Sequence, residues 1–389
     1  MAKRPAKPAG LAGVLSTLDQ QRSATLRAKL PHWAEAQVHI PSELSLEQCS
    51  SEATALYKAS LAQALTGGEG SIADLTGGLG VDSWALSRVC ANLLYFERNE
   101  ELCSAAMANF RELGCSNISC FNRESSLSSL EELPEMSLIY IDPARRSASG
   151  SKVFLLEDCT PDVLTLLSAM CRKAEWIMIK LSPMADITMV VRRLQEAAPE
   201  GYGVRQLHLV GAEGEVKELL VLIGRGSGPW TLNLADCGSG ARLQLSPEDE
   251  KRAQLALSNC LNAGTVLLEP RPLLLKAGIR KLPCSLAGLR KLSQDCHLYT
   301  GSLPEDHPLA PFFKQYEILE TFPTGNASIK ELGRKYPVAE VSARGLHLSS
   351  EELRRKIGCK SGIAPDGHHY HIFGCDTALG GRLIVCCRK

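Results

Sequence analysis

A glycine-rich loop follows the first strand-like run of the sequence. Residues 72–80 read IADLTGGLG, with Asp74 before the glycines Gly77, Gly78 and Gly80. Glycine lets the backbone pass close to a ligand, and the free amides of a following helix can bind a polar group. The pattern predicts a loop that holds a nucleotide-like cofactor, although a single loop of this kind does not say which one.

Nicotinamide enzymes place a GxGxxG loop at the same point of their fold. Here Gly78-Leu79-Gly80 is followed by Val81-Asp82-Ser83, so the third glycine of that motif is missing. In addition, an acid, Asp74, precedes the glycines inside the loop. These two differences disfavour a nicotinamide cofactor.

Two more acids follow the next two strand-like runs. Glu97 ends LLYFE, where a carboxylate can accept hydrogen bonds from both hydroxyls of a ribose. Glu124 follows the run ISCF, where it could accept a hydrogen bond from an adenine amino group. An isolated carboxylate at a loop end is usually only solvated. Three acids at three successive strand ends instead predict one shared site.

The elements that position these residues alternate along the chain. From Ser71 onward, short strand-like runs alternate with amphipathic helices, a pattern typical of a parallel sheet covered by helices on both faces. After Gly201, the runs VRQLHLV and ELLVLIG flank the polar turn GAEGEVK and predict an antiparallel hairpin that closes the sheet. The sequence therefore predicts an α/β, doubly wound domain of seven strands.

The fourth strand-like run, LIYI, leads directly into Asp142-Pro143-Ala144-Arg145-Arg146. With this motif the chain resembles the class I S-adenosylmethionine-dependent methyltransferases, whose first motif is an acid, three residues, Gly, one residue and Gly. Asp74, Gly78 and Gly80 fit that form. The resemblance covers about residues 48–224 and implies S-adenosylmethionine as the cofactor.

Within that superfamily, Asp-Pro-Ala-Arg-Arg resembles the Asp/Asn-Pro-Pro-aromatic motif of enzymes that methylate exocyclic amines of nucleic-acid bases. Ala144 replaces the second proline and Arg145 replaces the aromatic residue. Methyl transfer from a sulfonium needs alignment and an electrostatically matched site more than a strong base. Asp142 and the carbonyl of Pro143 could accept the N–H hydrogens of such an amine and direct its lone pair toward the methyl group.

Arg145 has two candidate functions, since a guanidinium can stack on a base or bind a phosphate through two hydrogen bonds. The alternative is that Arg145 and Arg146 only pair with acids such as Asp82 or Glu157. On the catalytic interpretation, the residues that act in the reaction are Asp142, Pro143 and Arg145.

Two flanking segments are expected to complete the site. The segment 47–54 precedes the first strand and could fold over the cofactor, or its serines could simply cap a helix. The segment that begins at Lys180 follows the fifth strand and is expected to lie beside Asp142. The predicted cofactor contacts are Gln48, Ser50, Ser51, Asp74, Thr76, Gly77, Gly78, Gly80, Asp82, Glu97, Arg98, Glu124, Ser125 and Asp142. The predicted substrate contacts are Arg145, Arg146, Lys180, Arg354, Arg355 and Lys356.

The C-terminal segment, residues 328–389, together with this core resembles a bacterial family of methyltransferases that carry a THUMP-like domain. Because THUMP domains bind RNA, the resemblance implies an RNA substrate, rRNA or tRNA. Residues 330–360 contain eight basic and four acidic side chains. A modest phosphate-binding surface follows if they lie together, and a solvated charged helix is the alternative.

Composition limits the classes of function. The 389 residues carry 43 basic and 43 acidic side chains, so no whole-molecule field attracts a polyanion, and any RNA site must be local. The sequence contains no run of about 18 apolar residues, so we expect no transmembrane helix. The 15 cysteines form no CxxC pair, so we expect reduced thiols, no metal and a cytoplasmic protein.

The sequence predicts four parts: helices over 1–70, a Rossmann-like methyltransferase domain over 71–226, a small α+β module over 227–315 and a THUMP-like domain over 316–389. The favoured function is methyl transfer to an exocyclic amine of an RNA base. Two alternatives are methylation of a small anionic molecule or a protein, and a catalytically silent RNA-binding protein. RNA cytosine-C5 methylation is disfavoured because neither IDPARR nor KLSPM contains the nucleophilic cysteine it needs.

Overall fold

The computed structural model describes residues 23–145, 156–226, 228–258 and 260–388. The chain divides into two compact units. The first comprises residues 1–212 and 217–230, and the second comprises residues 213–216 and 231–389. The four-part division made from the sequence is finer than this one and stays a prediction.

The first unit contains the predicted α/β fold, which is confirmed. Its strands are β1 (Ser71–Asp74), β2 (Asn92–Phe96), β3 (Ile118–Phe121), β4 (Met136–Ile141), β5 (Ala144–Arg145), β6 (Cys159–Thr160), β7 (Ala174–Leu181), β8 (Tyr202–Ala212) and β9 (Glu215–Arg225). Seven of them follow the order β8-β9-β7-β4-β1-β2-β3, while β5 and β6 form a separate ribbon. Strands β3, β2, β1, β4 and β7 run parallel, and β9 runs antiparallel to β7.

The helices of the first unit connect these strands and precede them. They are α1 (described over 23–29), α2 (Glu43–Gln48), α3 (Glu52–Thr66), α4 (Val81–Ser87), α5 (Glu100–Glu112), α6 (Leu127–Glu131), α7 (Val163–Lys173) and α8 (Ile187–Ala197). Several begin at a side chain that caps the free amides of the first turn. Ser51, for example, accepts a hydrogen bond from the amide of Thr54, and Asn99 accepts one from the amide of Leu102.

One hydrophobic core joins the N-terminal helices to the sheet. Trp33, Trp84, Tyr95 and Tyr140 are almost completely buried in it, and the rings of Trp33 and Trp84 meet edge to face. The order of strands reverses between β1 and β4, and ligands of doubly wound sheets bind at the carboxyl ends of the strands at that point. This fold therefore places the loops after β1, β2, β3 and β4 around one crevice.

The second unit begins with the antiparallel pair β10 (Thr231–Asp236) and β11 (Arg242–Leu245). The strands of its seven-stranded sheet are β12 (Val266–Pro270), β13 (Arg290–Lys291), β14 (Tyr299–Thr300), β15 (Phe313–Pro323), β16 (Glu340–Arg344), β17 (Tyr370–Cys375) and β18 (Arg382–Arg388). The helices are α9 (Pro247–Arg252), α10 (Pro272–Lys276), α11 (Leu282–Ala287), α12 (Asn326–Lys335) and α13 (Ser350–Ile357).

Strand β15 pairs with β12 on one side and with β18 on the other. Because β12 lies within residues 227–315 and β18 lies within residues 316–389, these two segments share one sheet. No described helix is long and apolar enough to cross a membrane. All fifteen cysteines are free thiols.

Candidate functional site

Hydrogen bonds to its backbone anchor the loop between β1 and α4. The amide of Gly77 donates to the carbonyl of Phe96 at 2.8 Å, and the hydroxyl of Tyr95 donates to the carbonyl of Gly78 at 2.5 Å. Gly80 has a φ of +92°, and a Cβ built there would lie 2.6 Å from the ring of Phe110. Both the backbone angle and the lack of space therefore require glycine at position 80.

Asp74 stabilises this loop through two hydrogen bonds. Its Oδ1 accepts a hydrogen bond from the amide of Thr76 at 3.0 Å, and its Oδ2 accepts one from the hydroxyl of Ser83 at 2.6 Å. Burial raises the pKa of Asp74 to about 7, although both hydrogen bonds favour the carboxylate. Asp74 is fully buried and does not line the cavity described below, so its effect on a ligand passes through the loop.

Glu97 lies at the end of β2, facing the loop. Its Oε2 accepts a hydrogen bond from the amide of Gly78 at 2.8 Å, and its Oε1 accepts one from the amide of Asn99 at 2.7 Å. Each carboxylate oxygen has two lone pairs, so both oxygens can accept a further hydrogen bond. Glu97 can therefore hold a pair of neighbouring hydroxyls without giving up its contacts to the backbone.

The segment after β3 lies beside the glycine loop and Glu97. Glu124 and Arg98 form an exposed ion pair of 3.5 Å, and Ser125 donates to the carbonyl of Leu75 at 2.6 Å. Arg123 lies over the ring of Phe96 at 5.1 Å and forms an ion pair with Glu132. Its stacked position and its place on the cavity wall were not foreseen from the sequence.

A cavity of about 360 Å³ lies where these segments meet. Its wall includes thirteen of the predicted site residues, namely Gln48, Ser50, Thr76, Gly77, Gly78, Gly80, Asp82, Glu97, Arg98, Glu124, Ser125, Asp142 and Lys180. Ser51 does not line it and instead caps α3, as the helix-cap alternative proposed. Pro143 is buried and does not line it either.

Asp142 directly follows β4 and lines this cavity. Its amide donates to the hydroxyl of Thr76 at 2.6 Å, and its Oδ2 accepts a hydrogen bond from Nζ of Lys180 at 2.5 Å. Burial alone would lower the pKa of Lys180, but Asp142, Asp82 and Glu218 together raise it. These three acids therefore favour the protonated form of Lys180.

Of the two arginines of the motif, the structure describes the backbone of Arg145. The backbone of Arg145 pairs with Cys159 in the β5–β6 ribbon. Ala144 and Thr160 of this ribbon line the cavity, and so does Pro161, which follows it. Arg146 lies outside the described residues. The predicted substrate contacts of Arg145 and Arg146 remain predictions.

Comparison with known proteins gives two informative matches. Residues 313–389 match the family described as THUMP domain-like. A solved structure of a candidate methyltransferase from Porphyromonas gingivalis W83 matches 99% of this chain and 92% of its own, at 29% identity and a TM-score of 0.81. The chain combines a class I methyltransferase fold with a C-terminal THUMP-like domain.

Other comparisons add less. A candidate methyltransferase from Streptococcus mutans in complex with SAH matches 44% of this chain and 96% of its own, at 13% identity and a TM-score of 0.34. A candidate RNA methyltransferase from Pyrococcus horikoshii matches 52% and 99% of the two chains, at 12% identity and a TM-score of 0.36. Among curated proteins, no sequence matches significantly.

The methyltransferase unit also contains a buried charged network that sequence analysis missed. Lys58 of α3 contacts Glu218 of β9 at 2.8 Å and Asp82 of α4 at 3.1 Å. Tyr140 donates to Asp82 at 2.7 Å, and Ser50 donates to it at 2.8 Å. Two residues of the sequence could have indicated this network. Lys58 lies in a helix whose neighbouring residues are packed, and Glu218 begins the apolar run ELLVLIG. Charged residues in such positions are rarely buried unless they are paired.

The THUMP-like domain presents its basic residues on α13. Arg354, Arg355 and Lys356 lie in the last turn of that helix, and Arg354 and Arg355 line a groove. Within the described part of the chain, none of the three makes an ion pair, although Arg354 donates to Ser361 at 3.0 Å. Three charges of one sign on one helix end can contact a polyanion.

Helix α12 extends this basic surface. A Cβ built on Gly333 would lie only 2.1 Å from the carbonyl oxygen of Ile357, so the last turns of α12 and α13 are in close contact. The last turn of α12 carries Arg334 and Lys335. Lys335 pairs with Glu320, whereas Arg334 makes no ion pair within the described residues. The ends of two helices therefore bring basic residues of this segment close together.

Proposed function

We propose that this protein is an S-adenosylmethionine-dependent methyltransferase that acts on an exocyclic amine of an RNA base, in rRNA or tRNA. The observation that carries the proposal is that Asp142 shares one cavity with the glycine loop and with Glu97. A cofactor-binding loop and an acceptor for an amine therefore lie on the walls of the same space.

The residues present fit the cofactor. A cavity of about 360 Å³ falls within the ordinary range for small-molecule sites. Glu97 has acceptor capacity for two ribose hydroxyls, and Glu124, exposed at the cavity wall, can accept a hydrogen bond from an adenine amino group. When bound, the sulfonium supplies an electrophilic methyl group.

The chain's own contribution to transfer is made by Asp142. Its Oδ2 is held by Lys180, while its Oδ1 has no hydrogen-bond partner among the described residues. Oδ1 can therefore accept an N–H of the target amine, which orients the nitrogen lone pair and stabilises the positive charge that develops as the N–C bond forms and the bond from sulfur to the methyl group breaks. The surplus N–H proton would then pass to Asp142 and from there to water. Lys180 fixes the carboxylate in place through a charge-assisted hydrogen bond.

The RNA part of the proposal is supported by the second unit. Residues 313–389 match the THUMP-like family, and the two basic helix ends present Arg334, Arg354, Arg355 and Lys356 without ion-pair partners in the described chain. With a formal net charge of zero, a local surface of this kind has to supply the affinity for a polyanion.

Calorimetry tests the cofactor assignment. We expect the wild-type protein to bind S-adenosylmethionine with micromolar affinity and NAD not at all, and Glu97→Ala to weaken S-adenosylmethionine binding at least tenfold. Loss of a charge-assisted contact to a ribose costs about 1.5–3 kcal/mol. The matched control Glu196→Ala removes an exposed carboxylate from α8 and should leave the affinity unchanged. Tight NAD binding without S-adenosylmethionine binding would overturn the assignment.

A salt series tests the RNA assignment. We expect the triple change Arg354→Gln, Arg355→Gln and Lys356→Gln to weaken RNA binding and to reduce the log–log salt slope by about two to three units, because each lost phosphate contact removes a little under one unit. A control triple change, Arg172→Gln, Lys173→Gln and Arg192→Gln, removes the same charge from α7 and α8. Filter binding that shows no wild-type affinity above a neutral control protein would refute the RNA assignment.

A further inference from the structure

Lys58, in the first unit, is a lysine whose side chain is completely buried. None of its surface is exposed, and four oxygens surround its Nζ: Glu218 Oε1 at 2.8 Å, Glu218 Oε2 at 2.9 Å, Ser50 Oγ at 3.1 Å and Asp82 Oδ1 at 3.1 Å. Burying charges costs several kcal/mol per ion, and apolar replacements for such networks are often equally stable. Folding alone therefore gives little reason for this lysine.

Asp82 connects the network to the cavity. Its Oδ2 accepts hydrogen bonds from Ser50 and Tyr140. Its Oδ1 is buried and has no hydrogen-bond partner within the described chain, because Lys58 approaches it at 3.1 Å outside hydrogen-bonding angles. Asp82 lines the cavity, so the negative charge of its carboxylate lies at the wall of the cofactor site.

The cavity wall beside this network is acidic. Asp82 and Asp142 both line the cavity, and each faces one lysine, Lys58 for Asp82 and Lys180 for Asp142. A further cation bound beside these carboxylates would be stabilised, because interactions between buried charges are only weakly screened. The amino-acid part of the cofactor carries an ammonium group.

We propose that Lys58 is a positioning residue, which with Glu218 holds Asp82 and Ser50 in place as the binding subsite for the ammonium group of the cofactor's amino-acid part. This inference rests on the proposed use of S-adenosylmethionine. Lys58 does not touch the ligand. It fixes the orientation of Ser50 from one side and keeps Asp82 ionised from the other.

The ionisation of Asp82 agrees with this arrangement. Burial by itself would raise its pKa, but the charges of Lys58 and Lys180, with hydrogen bonds from Tyr140 and Ser50, lower it. Without Lys58, Asp82 and Glu218 would be two buried acids in a common environment. One of them would then take up a proton, and the attraction for an ammonium group would fall.

The test compares two ligands that differ in the amino-acid part. S-adenosylhomocysteine has it, and 5′-methylthioadenosine lacks it. We expect Lys58→Met to weaken S-adenosylhomocysteine at least tenfold by calorimetry while it changes 5′-methylthioadenosine less than twofold. A merely structural lysine would not produce that selectivity, because a distorted site weakens both ligands. The control Lys173→Met removes a lysine from α7 and should alter neither affinity.

A second variant keeps the proposal testable if Lys58→Met folds poorly. Lys58→Met combined with Glu218→Gln leaves no unpaired Glu218 carboxylate in the core, and we expect it to recover thermal stability without recovering S-adenosylhomocysteine affinity. Equal losses for both ligands in a folded variant would overturn the role of Lys58. Failure of the wild-type protein to bind either ligand would instead refute the proposed cofactor.

Discussion

Asp142→Ala should lower the rate of methyl transfer at least a hundredfold and leave cofactor affinity within about twofold. The side chain is needed when positive charge develops on the attacking nitrogen, and removal of one such transition-state partner typically costs this much. Lys180 retains Asp82 and Glu218 as neighbouring charges, so the site should stay folded.

Single-turnover rates and calorimetry on the same preparation separate the two effects. Glu196→Ala is the matched control, since it removes an exposed carboxylate from α8. Equal losses in rate and in cofactor affinity for Asp142→Ala would show that Asp142 serves the cofactor or the fold and not the transfer.

Gly80→Val should reduce cofactor affinity by a hundredfold or more. Its φ of +92° is unfavourable for a β-branched residue, and the new Cβ would lie 2.6 Å from the buried ring of Phe110. The loop must therefore move, and with it the amide of Gly78, which is bound to Glu97.

Gly114→Val separates this effect from backbone strain alone. Gly114 also has a positive φ, +72°, but no atom lies within 4 Å of its added Cβ. The control should lose some thermal stability and keep its cofactor affinity. Wild-type affinity in a folded Gly80→Val protein would contradict the role assigned to the loop.

The sequence was sufficient to predict the α/β fold and most of the cavity wall because the physical rule is local. Parallel strands bring their carboxyl ends to one edge of the sheet, so Glu97, Glu124 and Asp142 had to converge once their strands were recognised. Asp74 is the exception, because it does not line the cavity. Its side chain instead accepts hydrogen bonds from Thr76 and Ser83, and the spacing of residues does not reveal such bonds.

The network around Lys58 could not be predicted in the same way. Lys58 and Glu218 are 160 residues apart, and a lone charged residue in an apolar run is as compatible with an exposed edge as with a buried pair. Only the packing of α3 against the sheet decides between them. The continuous sheet of the second unit was hidden for a similar reason, since the pairing partners of β15 lie far away on both sides in sequence.

Transfer of a heavy-isotope methyl group tests the central proposal most directly. Total RNA from a strain that lacks this protein is incubated with trideuteromethyl S-adenosylmethionine and purified enzyme, and its nucleosides are analysed by mass spectrometry. We expect the label on the exocyclic amine of one base with the wild-type protein and none with Asp142→Ala. Label on a ribose or on a base carbon, or no labelled nucleoside at all, would contradict methylation of an RNA base amine.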